Sequence, residues 1–302
     1  MYGYAVYQSY SLRDNPFLGL YNPGSRESPA FKRQAVGRIM KWLSFVFLWL
    51  SACCYPAWPR SPFDGTWKID LSKTEQPAKP DVFLLQEGKF QCQTCDPAIS
   101  VKADGTDQQI TGNPCYDTVN IKVLSDRVIE ETDRRNGKPV RTLRIEVSQK
   151  NDMASFDLTD MCNKNSDPVS VRWLAKRVTQ APAGSHLVSG SWRTVKQESA
   201  SENALLVTLK LANNTFSFMD PAGQGYSAKL DGTYAPFVGG VDNTVVSLKR
   251  IGTNAIEETD IKNGKAFRRT VFTVAADGKT MKAAITDLAQ RSTIQFVLNR
   301  QQ

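Results

Sequence analysis

The chain has 302 residues, with 38 lysines and arginines against 30 aspartates and glutamates, one histidine and six cysteines. A hydrophobic fraction of 41% and a charged fraction of 23% exclude a disordered or low-complexity polymer, so the chain is expected to fold as one large or two ordinary domains. A single histidine, His186, excludes every mechanism that needs two, paired-histidine zinc sites included.

Half of the formal charge of +8 sits at the front. Residues 1–52 carry six basic side chains against Asp14 and Glu27, a net of +4. Residues 1–39 are rich in tyrosine, serine and proline and fit neither the helical nor the strand period. They read as an over-extended start upstream of Met40, or as a disordered n-region. From Met40 a cationic start at Lys41 precedes the apolar run Trp42 to Leu50 and the small residues Ser51 and Ala52. Nine residues span about 14 Å as a helix, short of the roughly 30 Å hydrocarbon core of a bilayer. The pattern is that of an export signal over 40–52. Leu50-Ser51-Ala52-Cys53 resembles the lipobox of bacterial lipoproteins. The resemblance implies cleavage before Cys53, lipidation of that cysteine and a membrane partner held through the lipid. Cys54, where an aspartate would retain the protein at the inner membrane, points to the outer membrane or periplasm. With the front end removed the remaining excess is small, and no nucleic-acid partner is expected.

After a tether at 53–61 the chain is written twice. Lys102 to Asp160 aligns with Lys229 to Asp287 at a constant offset of 127, with 19 identities in 59 positions. Gly65-Thr66-Trp67 and Gly190-Ser191-Trp192 open the two copies, which gives expected repeats over 62–178 and 188–302 and a linker over 179–187. Within each copy apolar and polar residues alternate, as in Arg144-Ile145-Glu146-Val147 and Thr293-Ile294-Gln295-Phe296. Asn136-Gly137 and Asn263-Gly264 sit between such runs, where a two-residue hairpin turn favours this pair. The predicted fold class is all-β: two tandem antiparallel barrels of about 8 to 10 strands each.

The Gly-x-Trp openings resemble those of lipocalins, whose tryptophan plugs one end of an up-and-down barrel and is covered by a basic residue of the last strand. The resemblance implies a barrel-closing set of Gly65, Trp67, Arg177, Gly190, Trp192 and Arg300, with Arg177 and Arg300 on the last strands. The whole chain is similar to tandem β-domain proteins exported by some bacteria, for which no activity is implied.

Cys92, Cys95, Cys115 and Cys162 lie in the first copy only; Asp242 and Ala289 align with Cys115 and Cys162. In an oxidising compartment they are disulfide candidates with three connectivities. In an extended strand Cys92 and Cys95 lie about 10 Å apart, so each is expected to pair with a distant partner unless the Cys95-Asp96-Pro97 turn folds them together. A single Cys-x-x-Cys knuckle does not make a zinc site, and no metal or cofactor is expected.

Glu130-Glu131-Thr132-Asp133 and its twin at 257–260 place alternate residues on opposite strand faces. Glu130, Glu131, Glu257 and Glu258 are candidates for orienting a ligand or for carboxylate hydrolysis. The favoured expectation is a solvated hairpin arm beside Lys138 and Arg141. No nucleophile elbow or phosphate loop is present, so no catalytic residue is assigned. The expected function is a non-catalytic, membrane-tethered envelope protein that binds a small apolar ligand or serves as an interaction module. The alternatives are a carboxylate-dependent hydrolase of envelope material and a purely structural envelope protein.

Overall fold

The computed structural model describes residues 61–302 apart from 77, 96, 163–166, 222, 240–242 and 290. The expected export signal over 40–52, Cys53 and Asp242 therefore lie outside the described residues. Two ten-stranded antiparallel sheets, each nearly closed into a barrel, make up the described residues.

β1 (Gly65–Ile69) is followed by a 3-10 turn at Leu71–Lys73 and then by the strands of the first sheet. These are β2 (Asp81–Gln86), β3 (Lys89–Cys92), β4 (Ile99–Lys102), β5 (Gln108–Gln109) and β6 (Thr118–Val123), then β7 (Val128–Arg135), β8 (Lys138–Val147), β9 (Met153–Asp160), β10 (Val169–Thr179) and β11 (Gly190–Ala200). A four-residue helix, α1 (Glu202–Leu205), leads into β12 (Leu206–Ala212), β13 (Thr215–Met219), β14 (Gly225–Lys229) and β15 (Asp231–Pro236). The second sheet continues with β16 (Val245–Gly252), β17 (Ala255–Lys262), β18 (Lys265–Val274), β19 (Thr280–Asp287) and β20 (Ser292–Arg300).

The hairpins form where the sequence places turn residues. Asn136 and Gly137 both have positive φ, as do Asn263 and Gly264, which is the conformation a two-residue turn needs between right-twisted strands. Along β7 every second residue faces inward, and the same alternation runs through β9, β17 and β19. The inward side chains build one core per barrel. Phe90, Ile121, Ile129, Ile145 and Phe156 fill the first. Phe63, Phe216, Phe218, Phe272 and Leu248 fill the second, where the rings of Phe63 and Phe216 meet edge to face at 5.7 Å.

The sheets do not divide where the repeats divide. The order in the first is β4-β3-β2-β11-β10-β9-β8-β7-β6-β5, and in the second β14-β13-β12-β1-β20-β19-β18-β17-β16-β15. The opening strand of each copy thus completes the barrel of the other. β1 lies between β12 and β20, with Trp67 opposite Val207 and Arg300. β11 lies between β2 and β10, with Trp192 opposite Asp81 and Arg177. The physical reason is the short connection after β10: a ten-residue link returns the chain beside the strand it has just left, so β11, the opening strand of the second copy, pairs there and the rest of that copy follows from it. The seam this leaves beside β20 is filled by β1.

The open edges are brought together by few bonds. Gly225 and Val238 exchange both backbone hydrogen bonds, at 3.0 and 2.7 Å, across the seam of the second barrel. In the first, the Gly105 amide donates to the Ile121 carbonyl at 3.0 Å, and the Asn120 side-chain amide donates to the Gly105 carbonyl at 2.7 Å.

Candidate functional site

Each barrel has one end closed by tryptophan and arginine. The Trp67 indole donates to the Phe63 carbonyl at 2.8 Å, and the Trp192 indole to the Val188 carbonyl at 2.8 Å. Arg300 lies 4.3 Å from the centre of the Trp67 ring, and Arg177 lies 4.0 Å from that of Trp192. Each arginine therefore covers the tryptophan of the opposite copy, as the strand exchange requires. Arg177 also donates to the carbonyls of Asn151, Ser189 and Leu187, each at 2.6 Å. Arg300 donates to those of Gly278, Asp64 and Pro62. Gly190 has a φ of +112°, and a Cβ there would stand 2.5 Å from the Thr179 carbonyl oxygen and 2.9 Å from the Arg177 guanidinium. Glycine at this position is what lets the arginine reach its three carbonyls.

The other end of each barrel holds carboxylates. Glu131 and Asp133 are 3% and 0% exposed, and their twins Glu258 and Asp260 are each 0% exposed. This corrects the expectation of a solvated hairpin arm: the alternation along β7 and β17 turns these two positions into the barrel, while Glu130 and Glu257 face outward and stay half-buried. The neutralising cation comes from the next strand. Arg141 donates through one nitrogen to Glu131 Oε1 at 2.8 Å and to Asp133 Oδ2 at 2.6 Å. In the second barrel the Arg268 Nε donates to Asp260 Oδ2, and the Tyr226 hydroxyl donates to Glu258 Oε2. Asp160 and Asp287 are the register partners of Arg141 and Arg268 on the following strands, so the two barrels repeat the same placement of acidic and basic residues.

Two ionised carboxylates beside one buried guanidinium leave an uncompensated charge, which a low-dielectric interior penalises heavily. Burial and the neighbouring Glu131 hold Asp133 well above the usual carboxylate range, against the pull of Arg141. Burial and Asp260 do the same to Glu258, against Arg268 and Tyr226. Burial also raises Asp160. Both shifts favour the neutral form of one carboxyl in each pair, and a proton held there would bring the pair and its arginine towards neutrality. Among the described residues Asp133 Oδ1, Glu258 Oε1, Asp260 Oδ1 and the Thr270 hydroxyl oxygen have no hydrogen-bond partner. A proton held by one carboxyl of each pair would give it a donor to share with its neighbour. All four carboxylates thus lie in the barrel interiors, out of contact with solvent.

The sequence signal for Arg141 and Arg268 is their identity at the repeat offset of 127, which marks both as part of the repeated unit. Tyr226 and Thr270 carry no such signal, because Ile99 and Leu143 align with them.

Cys92 and Cys95 are joined to each other, with Cα atoms 5.4 Å apart, and Cys115 is joined to Cys162. Of the two arrangements open from sequence, distant partners or a pair brought together locally, the second is the one formed by Cys92 and Cys95. Cys92 ends β3, and the chain leaves the extended conformation directly after it, so the 10 Å separation of a strand does not apply. The Cys115–Cys162 bridge ties the segment before β6 to the segment after β9 at the carboxylate end of the first barrel, where Arg141 lies 5.9 Å from the ring of Tyr116. His186 is structural: its Nδ1 accepts from the Val188 amide at 3.2 Å, which leaves Nε2 to donate to the Ser125 carbonyl at 2.6 Å.

No protein-family model matches the chain, and no curated protein sequence matches it.

Proposed function

We propose that this is a non-catalytic cell-envelope lipoprotein, tethered through Cys53, whose two lipocalin-like barrels act as one interlocked interaction module. The observation that carries the reading is the filling of the barrels. Trp67, Phe63, Phe216, Phe218 and Phe272 are all fully buried in the second, and Trp192, Phe90 and Phe156 in the first. Side chains of this size occupy the interior that an eight-to-ten-stranded barrel would otherwise offer to a small ligand. Of the two forms expected from sequence, carrier and interaction module, the packing supports the second. The sealed carboxylates support a non-catalytic role, since a hydrolase of envelope polymers needs its carboxylates within reach of the polymer. Two disulfides suit a compartment where thiols oxidise.

The test is fractionation of cells expressing the full chain and its Cys53→Ala variant, with native mass spectrometry of the protein released from membranes. The reading requires membrane attachment that depends on Cys53 and a released protein of bare polypeptide-plus-lipid mass. A reproducible co-purified apolar molecule would restore the carrier form.

A further inference from the structure

The outer face of the first barrel carries a groove of about 460 Å³, lined by Glu130, Thr142, Arg144, Asp157, Ser170 and Arg172, with Leu158, Val171 and Ala200 between them. Two rows of side chains cross it, one residue per strand. In the first row Glu130 stands opposite Arg144, Arg144 opposite Asp157, and Asp157 opposite Arg172, so charge alternates across β7 to β10. In the second row Thr142, Thr159 and Ser170 stand opposite one another in the same way. Register shifts between β10 and β11 at Arg172 and Leu174 bend the sheet, and Ser199 and Ser201 line the groove beside it. Part of the lining is fixed in advance: Arg172 grips both oxygens of Asp157 at 2.8 and 2.9 Å and reaches Glu198 at 3.0 Å.

The second copy supplies an internal control. In the same register its row reads Glu257, Val271, Ala284 and Gln295. The barrel closes equally well without the three charges of β8 to β10, so the fold does not call for them. Exposed cross-strand ion pairs also contribute little to stability, about 0.2–1 kcal/mol each.

We infer that this groove is a binding site for a short, neutral, hydroxyl-rich ligand, a saccharide. The alternating charges sum to near zero, which favours neither a polyanion nor a polycation. The apolar residues of the lining are Leu158 and Val171, both buried, and Ala200, set beside the charged and hydroxyl side chains, a mixed surface that suits the C–H and O–H faces of a sugar. Carboxylates accept from pairs of neighbouring hydroxyls, guanidinium groups donate to pairs of hydroxyl oxygens, and threonine and serine do both. Strands about 4.8 Å apart present these groups at close to the repeat of a pyranose chain, one sugar per strand. The inference gives the interaction module a ligand class and rests on that reading only for its location, because binding is measured apart from membrane attachment.

The experiment is a titration of the full chain, purified in detergent, with two neutral tetrasaccharides: β-linked, N-acetylated chitotetraose and α-linked maltotetraose. Saturation-transfer NMR and calorimetry read the outcome. At least one is expected to bind, and which one distinguishes an amino-sugar polymer from a plain glucan. The variant Arg144→Val with Asp157→Ala installs the residues of the second copy and is expected to weaken binding at least tenfold with the melting transition retained. Arg172→Gln, likewise borrowed from the second copy, gives an independent reading if the double variant does not fold. Glu257→Ala on the other barrel leaves the affinity unchanged. Binding of neither saccharide, or affinity indifferent to both groove variants, overturns the inference.

Discussion

Arg300, on the last strand of the second copy, covers Trp67, on the opening strand of the first, with its guanidinium 4.3 Å from the ring centre. Between them the chain builds the whole first barrel. The contact therefore reports on the docking of β1 into the second barrel and on nothing in the first.

Trp67→Ala removes a fully buried indole and the surface on which Arg300 rests. A loss of about 3–5 kcal/mol is expected, the usual cost of deleting a large buried aromatic. Hydrogen exchange should accelerate in β12 and β20, which flank β1, while β9 and β10 keep their protection. Faster exchange in the first barrel alone would contradict the strand exchange.

Gly190→Ala places a methyl group 2.5 Å from the Thr179 carbonyl oxygen at a residue with positive φ. The strain and the displaced Arg177 should together cost about 2–4 kcal/mol. The same substitution at Gly137, where no atom lies within 4 Å of the added carbon, meets only the conformational penalty of about 1 kcal/mol. Denaturant midpoints of the two variants check the difference.

The pH dependence of stability follows from the buried carboxyl pairs. An unfolded aspartate or glutamate releases its proton near pH 4, to about one unit. The folded pairs at Asp133 and Glu258 hold theirs well above that value, and burial pushes Asp81 up to about 6. Between those limits the folded protein binds more protons than the unfolded chain, so stability falls as pH rises through the window and flattens once the folded groups have ionised. At the acid end Asp70, held at about 2 by the Ser72 hydroxyl, acts in the opposite sense and loses its contribution as pH falls through the folded value. Thermal melts should give a higher midpoint at pH 5 than at pH 8. Glu258→Gln, which carries a donor without needing a proton, should shrink that difference; an unchanged slope would show that the proton resides elsewhere.

Reduction should act unequally on the two bridges. The Cys115–Cys162 loop, with a separation of 47 residues, accounts for about 4 kcal/mol by chain entropy, against about 2 kcal/mol for Cys92–Cys95 at a separation of 3. Melting of Cys115→Ser/Cys162→Ser and Cys92→Ser/Cys95→Ser variants without reductant should rank in that order.

The strands, the hairpins and the copying of the unit were legible because they rest on local signals: alternation, Asn-Gly turns and a constant offset. The exchange of β1 and β11 was not, since Gly65-Thr66-Trp67 fits either barrel equally and only the length of the link after β10 selects between them. The carboxylates were assigned correctly to opposite strand faces, but polarity alone suggested water as their surroundings. Arg141, donating to both Glu131 and Asp133 from the adjacent strand, is what makes their burial tolerable. Tyr226 could not be anticipated, because its role depends on β14 closing over β17 from a distant part of the sequence.

The segment that was copied is not a segment that closes. Alone, one copy would leave a seam beside its arginine-bearing last strand and carry a Gly-x-Trp strand shaped for the same seam in a neighbour. Two separate copies would complete each other in the manner of a domain-swapped dimer, and only at sufficient concentration. Joined head to tail, they make the exchange intramolecular, so the association becomes part of folding and is independent of how much protein the cell makes.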